Sequence, residues 1–241
     1  MMFMLKNILP IFTLLILFGA CTKETIKENL HTEISAFHQI QLNSSFDVYL
    51  TEGNEYSITI VGDESVVDLV TFEVTDSLLI IDNERTWKWL KPTKNKIKIY
   101  ITSPPLTNVT ANQTCFIRTL TPITSTEFGL ILKNKANNAD LELNCSTFYY
   151  WNSHPCGGTV TLSGACNMLK LWNVALVNVQ ADSLYAQNAE VSNDSKGDCV
   201  INVSNKLMYT VLGDGNIEVL GNPIEIIESE PSVGSGQLIM L

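Results

Sequence analysis

The feature that most constrains this chain is a repeat of about twenty residues in its second half. Tyr150-Trp151-Asn152 recurs as Leu171-Trp172-Asn173 and again as Val191-Ser192-Asn193, at steps of 21 and 20 residues. In the same register Phe148, Leu169 and Ala189 align, and Cys145 meets Cys166. Val200-Ile201-Asn202-Val203 and Ile217-Glu218-Val219-Leu220 continue the spacing. Short strands repeated at this period are the signature of a β-solenoid, one turn per repeat. An antiparallel sandwich with evenly spaced strands is the competing architecture. Three columns agreeing in one register favour stacked turns.

Stacking has chemical consequences. Successive turns lie about 4.8 Å apart, so residues one repeat apart form ladders along the axis. A column of Phe, Leu, Tyr and Val would make the core. The asparagines would sit at a corner, where that residue tolerates a left-handed backbone and can hydrogen-bond to its copy in the next turn. Cys145 and Cys166 become vertical neighbours at a spacing a disulfide could bridge, so the pair is expected as buried thiols or, alternatively, as a disulfide. Trp151 and Trp172 also stack, with Tyr150 and Leu171 pointing the opposite way. Either pair could be the core. Tryptophans on the outside would line a surface for a glycan or a protein.

Upstream the chain alternates with period two in Phe46–Leu50, Tyr56–Ile60 and Lys96–Ile101, while Leu78-Leu79-Ile80-Ile81 reads as a more completely buried strand. Residues 63–70 have an acidic start and paired apolar positions, which predict one short helical turn. Trp87-Lys88-Trp89 lies in a basic stretch from Arg85 to Lys98. Its two tryptophans would share a side, either to contact a partner or to cap the end of the solenoid.

The first residues form a short basic segment, an apolar run from Ile8 to Phe18, and Leu17-Phe18-Gly19-Ala20-Cys21. The run is shorter than the roughly 20 residues a membrane span needs. It has the form of a secretory signal ending in a bacterial lipobox, with Cys21 as the lipidated residue. Residues 1–20 are thus the signal peptide and 21–36 a lipidated tether. Residues 37–105 and 106–241 form the first β region and the repetitive region. Two or more acyl chains hold a protein firmly, at about 0.8 kcal/mol per buried CH₂. Removing residues 1–20 takes one cation, Lys6, from a chain of formal charge −10 and leaves −11. Such a surface repels nucleic acid. After Cys21 five cysteines remain, an odd number with no C-x-x-C spacing, and small buried hydrophobes are the expected role.

Catalytic patterns are missing. Asp194 and Asp198 flank Lys196-Gly197, and Asp214 lies between two glycines. A polysaccharide-cleaving β-helix enzyme would need such carboxylates with a cation in register, and none is. Turn chemistry explains them better. His31, His38 and His154 have no metal spacing, and no serine sits in G-x-S-x-G. No cofactor or metal is expected.

The order of these motifs resembles a family. A lipobox is followed by the Phe46–Leu50 strand with Glu52-Gly53, and then by Ile60-Val61-Gly62-Asp63-Glu64, Leu78–Ile81 and Ile97–Thr102 with Pro104. After the repeats come Gly213-Asp214-Gly215-Asn216-Ile217, Gly221-Asn222-Pro223 and Gly234-Ser235-Gly236. Together these resemble the head GIN domain of auto-transporter adhesins, common in lipoproteins of Bacteroidetes. The resemblance implies an all-β, right-handed parallel β-helix-like solenoid at the cell envelope. It implies a noncatalytic adhesin or carbohydrate/protein-binding module, anchored by lipid to the outer membrane. The chain departs from the family's Ser-Gly-rich central strands by carrying Trp151, Trp172, Cys145, Cys156 and Cys166 there. Lys23-Glu24 is similar to leaders that route lipoproteins to the cell surface in that phylum. Asp76-Ser77-Leu78 and Asp182-Ser183-Leu184 are similar to its O-glycosylation sites, at Ser77 and Ser183. The alternative role is a structural or signalling partner facing the periplasm.

Overall fold

The computed structural model describes residues 26–28, 32–86, 97–133 and 135–241. The first strands are β1 (Ile26–Glu28), β2 (Thr32–Glu33), β3 (Gln39–Leu42), β4 (Asp47–Glu52) and β5 (Ser57–Asp63). A one-turn helix α1 (Glu64–Val67) follows, then β6 (Val70–Thr75), β7 (Leu78–Asn83), β8 (Lys98–Ser103), β9 (Asn108–Ala111), β10 (Phe116–Thr119) and β11 (Glu127–Leu132). The remaining strands are β12 (Lys135–Asn152), β13 (Cys156–Ser195), β14 (Cys199–Val211), β15 (Ile217–Leu220), β16 (Glu225–Glu228) and β17 (Leu238–Met240). They wind into an open β-solenoid of about six turns.

Two parallel ladders run the length of the stack. One joins β7, β3, β9, β11, the second half of β12, β13, β14 and β16. The other joins β8, β4, β10, the first half of β12, β13, β14, β15 and β17. Because β12 and β13 bend around corners without breaking, single strands contribute to both ladders. Parallel in-register pairing puts like above like. Phe128 pairs with Phe148 and Phe148 with Leu169, and the two phenyl rings stack 6.0 Å apart. Leu130, Tyr150 and Leu171 form the neighbouring column, each fully buried. Each such side chain withdrawn from water contributes about 1.5–3 kcal/mol.

The expected asparagine corner is present, and its role is larger than a tolerant turn. Asn152, Asn173 and Asn193 are almost completely buried. Asn152 accepts from the Val174 backbone N–H at 2.9 Å and donates to the Val174 carbonyl at 2.8 Å. The Asn173 amide donates to the Asn193 side-chain oxygen at 3.1 Å and to the Val177 carbonyl at 2.8 Å. A carboxamide that offers donor and acceptor together satisfies backbone groups that a corner would otherwise strand.

The N-terminal end is closed by antiparallel elements. Strand β5 pairs with β8, β1 and β2 pair with β5, and β6 forms a hairpin with β7. Helix α1 starts where the Asp63 carboxylate accepts from the Ser65 N–H, and it buries Val66 and Val67. The expected helical turn is therefore here. Strand β7 differs from expectation. Leu79 and Ile81 are fully buried but Leu78 and Ile80 are only half-buried, since their face looks away from the core. At the far end the last turn leaves Ile226 and Met240 partly exposed.

Candidate binding surface

The alternation of the strands decides which aromatic pair is core. Tyr150 and Leu171 are fully buried, so their neighbours Trp151 and Trp172 point outward. Ile131 pairs in register with Trp151, and Trp151 with Trp172, giving one outward column of three large apolar side chains across adjacent turns. Trp151 is 40% exposed and Trp172 half-buried. Val174 and Leu212 extend the apolar surface, and Ser192 and Asp194 supply its polar groups. Together with Tyr149 they line an open groove of about 600 Å³.

Tyr149 is held by its surroundings. Its register partner in β11 is Gly129, and a Cβ there would lie 2.0 Å from the Tyr149 ring. The ring therefore lies across the bare backbone of the neighbouring turn. Partial burial, helped by the Glu127 carboxylate, pushes the phenol upward, against a hydrogen bond with Asn108 that lowers it. The phenol stays neutral and can still donate.

A second aromatic surface lies on the other ladder, and it carried no repeat that would have flagged it. Tyr49 and Tyr100 are register partners with rings stacked at 4.8 Å and 15°. Arg118 follows Tyr49 in the ladder and is paired with Asp140 at 2.7 Å.

Cys145 and Cys166 are register partners in β12 and β13, and both are buried free thiols. Burial pushes Cys145 up to about 11 and Cys166 to about 12, the latter helped by Cys145. Ser77 and Ser183 are both exposed. Ser77 occupies the β6–β7 turn, where Asp76 and Ser77 have φ of 51° and 64° and the Ser77 carbonyl accepts from the His38 N–H at 2.9 Å. The Ser183 hydroxyl donates to Asp182 at 3.3 Å. Cys21, Trp87 and Trp89 lie outside the described residues. Trp151 and Trp172 are thus brought together by the fold, at a distance from Ser77 along the stack.

Two of the aspartates weighed as chemistry tie one turn to the next. Asp198 accepts from the Asn216 N–H at 2.7 Å, and Asp214 accepts from the Ser235 hydroxyl at 2.6 Å. Among the described residues no group of three or more His, Cys, Asp or Glu could hold a metal. No helix among them is long and apolar enough to cross a membrane.

A stacked solenoid with a lateral, open groove can hold a partner against its side. A family model described as "Putative auto-transporter adhesin, head GIN domain" matches residues 36–223. The chain belongs to this family. Solved structures share the fold of this GIN-domain chain. A structure from Bacteroides fragilis described as a "putative adhesin" is 21% identical, with a TM-score of 0.80, and the match covers 90% of this chain and 98% of that one. Another, from Parabacteroides distasonis and described in the same words, is 15% identical, with a TM-score of 0.60, over 91% and 98%. A protein from the same organism named as lipid binding is 16% identical, with a TM-score of 0.63, over 91% and 98%. No curated protein matches. At these identities the likeness concerns the fold of the GIN domain alone.

Proposed function

We propose that this chain is a noncatalytic adhesion module, tethered to the outer membrane by lipid at Cys21 and facing outward. Its contact surface is the outward column of Ile131, Trp151 and Trp172 with Tyr149. The carrying observation is the 40% exposure of Trp151 beside the half-buried Trp172. Burying these rings would be favourable, and a solenoid with room for Phe128, Phe148 and Tyr150 in its core has left them outside. Large indole faces anchored on rigid strands lose little conformational entropy on contact, which suits them to be the centre of an interface. The apolar lining, with Asp194 as its one charged side chain, fits a surface protein better than a charged glycan. The exposure of Ser77 and Ser183 is compatible with O-glycosylation at both.

Two measurements test this. Protease shaving of intact cells should release the domain, and protection would favour the periplasm-facing alternative. Trp151→Ala and Trp172→Ala should abolish attachment of displayed protein to a host or bacterial surface while the melting temperature changes little. Attachment that survives both substitutions ends the proposal for this surface.

A further inference from the structure

A cleft on another side of the solenoid has different chemistry. It is about 320 Å³ in volume and is bordered by Asn144, Asn167, Tyr185, Gln187, Asn202 and Ser204. The register explains why it is there. Ala181 of β13 pairs with Ile201 of β14, yet the next pair is Tyr185 with Asn202, so Asp182, Ser183 and Leu184 bulge from the ladder. A further shift falls between Ala186 and Asn188. Such irregularities interrupt a sheet and re-aim side chains. Here they turn Tyr185 outward, 69% exposed, while its neighbours Leu184 and Ala186 stay in the core.

Around this ring most of the polar groups are carboxamides. Asn144, Asn167 and Gln187 are exposed, and among the described residues their side-chain amides have no hydrogen-bond partner. Asn202 donates to the Asp182 carbonyl at 3.1 Å, which leaves its side-chain oxygen available. None of the ten lining residues is charged, in a chain of formal charge −10. A planar carboxamide presents donor and acceptor side by side, the complement of two neighbouring hydroxyls. An exposed phenol ring offers a flat face for the C–H side of a sugar ring.

We infer that this cleft is a binding site for an uncharged saccharide, one or two pyranose units at the end or branch of a glycan. Its volume is at the small end of ligand sites, which run from about 300 to 1,000 Å³. Tyr185 stacks on the sugar, and Asn144, Asn167 and Gln187 read its hydroxyls. This goes beyond the tryptophan surface and does not depend on it.

The test uses residues 21–241, produced unlipidated and without glycosylation, on an array of neutral, uronate-bearing and sulfated oligosaccharides, with titration of the best neutral binder. Neutral glycans should bind, with affinity unchanged between 50 and 500 mM salt because no ion pair forms. Tyr185→Ala and Gln187→Ala should each weaken binding by about tenfold or more at an unchanged melting temperature, since both side chains are exposed. Trp151→Ala should leave it unaltered. Preference for acidic glycans, no binding to any neutral glycan, or binding that survives both cleft substitutions overturns the inference. Loss in Trp151→Ala alone would support the tryptophan surface and refute the cleft.

Discussion

Replacing Asn193 by alanine tests whether the buried corner amides hold the turns together. The Asn193 side-chain nitrogen faces the carbonyls of Gly197 at 3.1 Å, Gly215 at 3.0 Å and Asn216 at 3.3 Å, and its oxygen accepts from Asn173 at 3.1 Å. An amide has two N–H groups, so at most two of the three carbonyls are fully served at once. The substitution therefore removes three strong hydrogen bonds. It also strands the Gly197 and Gly215 carbonyls of two buried glycines, while fully buried Asn173 keeps the Val177 carbonyl and the Cys199 sulfur as acceptors. A buried group left unsatisfied costs about 1–3 kcal/mol, which puts Asn193→Ala near 4 kcal/mol once water reaches part of the site. That is a large share of the 5–15 kcal/mol by which a typical domain is stable. Urea unfolding monitored by circular dichroism gives the loss. Because stacked turns need not unfold in one step, hydrogen exchange at Gly215 and Asn216 should accelerate in parallel. Asn205, exposed and with its side chain bonded at 2.8 Å only to half-buried Asn188, is the control, and its alanine variant should cost less than about 0.5 kcal/mol. A cost below about 1 kcal/mol for Asn193→Ala, or one equal to the control, would refute the role assigned to the corner.

Other outcomes follow from the same geometry. Gly164 has φ of +100°, and a Cβ there would sit 2.0 Å from the Leu143 carbonyl oxygen, so Gly164→Ala should cost more than about 3 kcal/mol in urea melts or abolish folding. Burial raises Cys115, Cys166 and Cys199 from 9.0 to about 12 and Cys145 to about 11. Their protonated forms favour the folded state, so this stability is complete below pH 9 and drains away as pH rises from 9 to about 12. Thermal melts across that range should fall, and Cys199→Ala should lessen the slope. Denatured, unreduced residues 37–241 should titrate five thiols with a chromogenic disulfide reagent, and a count of three would mean that Cys145 and Cys166 are bridged.

The architecture was legible wherever the turns are nearly equal in length. Asn152, Asn173 and Asn193 share a corner because nothing is inserted between them, and the same holds for Cys145 over Cys166. The turns built from β3, β4, β7 and β8 belong to the same ladders, yet they show no period, because β5, α1 and β6 are inserted between β4 and β7. The direction of Trp151 was undecidable in the sequence, as Tyr150 beside it is as good a core residue and alternation fixes only that they differ. The Tyr185 cleft left no local trace. It arises where β13 slips against β14, and slippage depends on two segments twenty residues apart. Tyr49 over Tyr100 was hidden for a related reason, since partners 51 positions apart bracket the inserted elements.

Bent strands that run unbroken around corners make the solenoid modular in height. Excising one whole coil would leave every column continuous, with only the distance between the two ends of the stack changed. Losing a single residue from a straight run of β13 would instead invert inside and outside as far as the next corner or bulge that absorbs the change. Lengthening by complete coils is accordingly the easy path for such a chain to grow taller without redesigning its flanks.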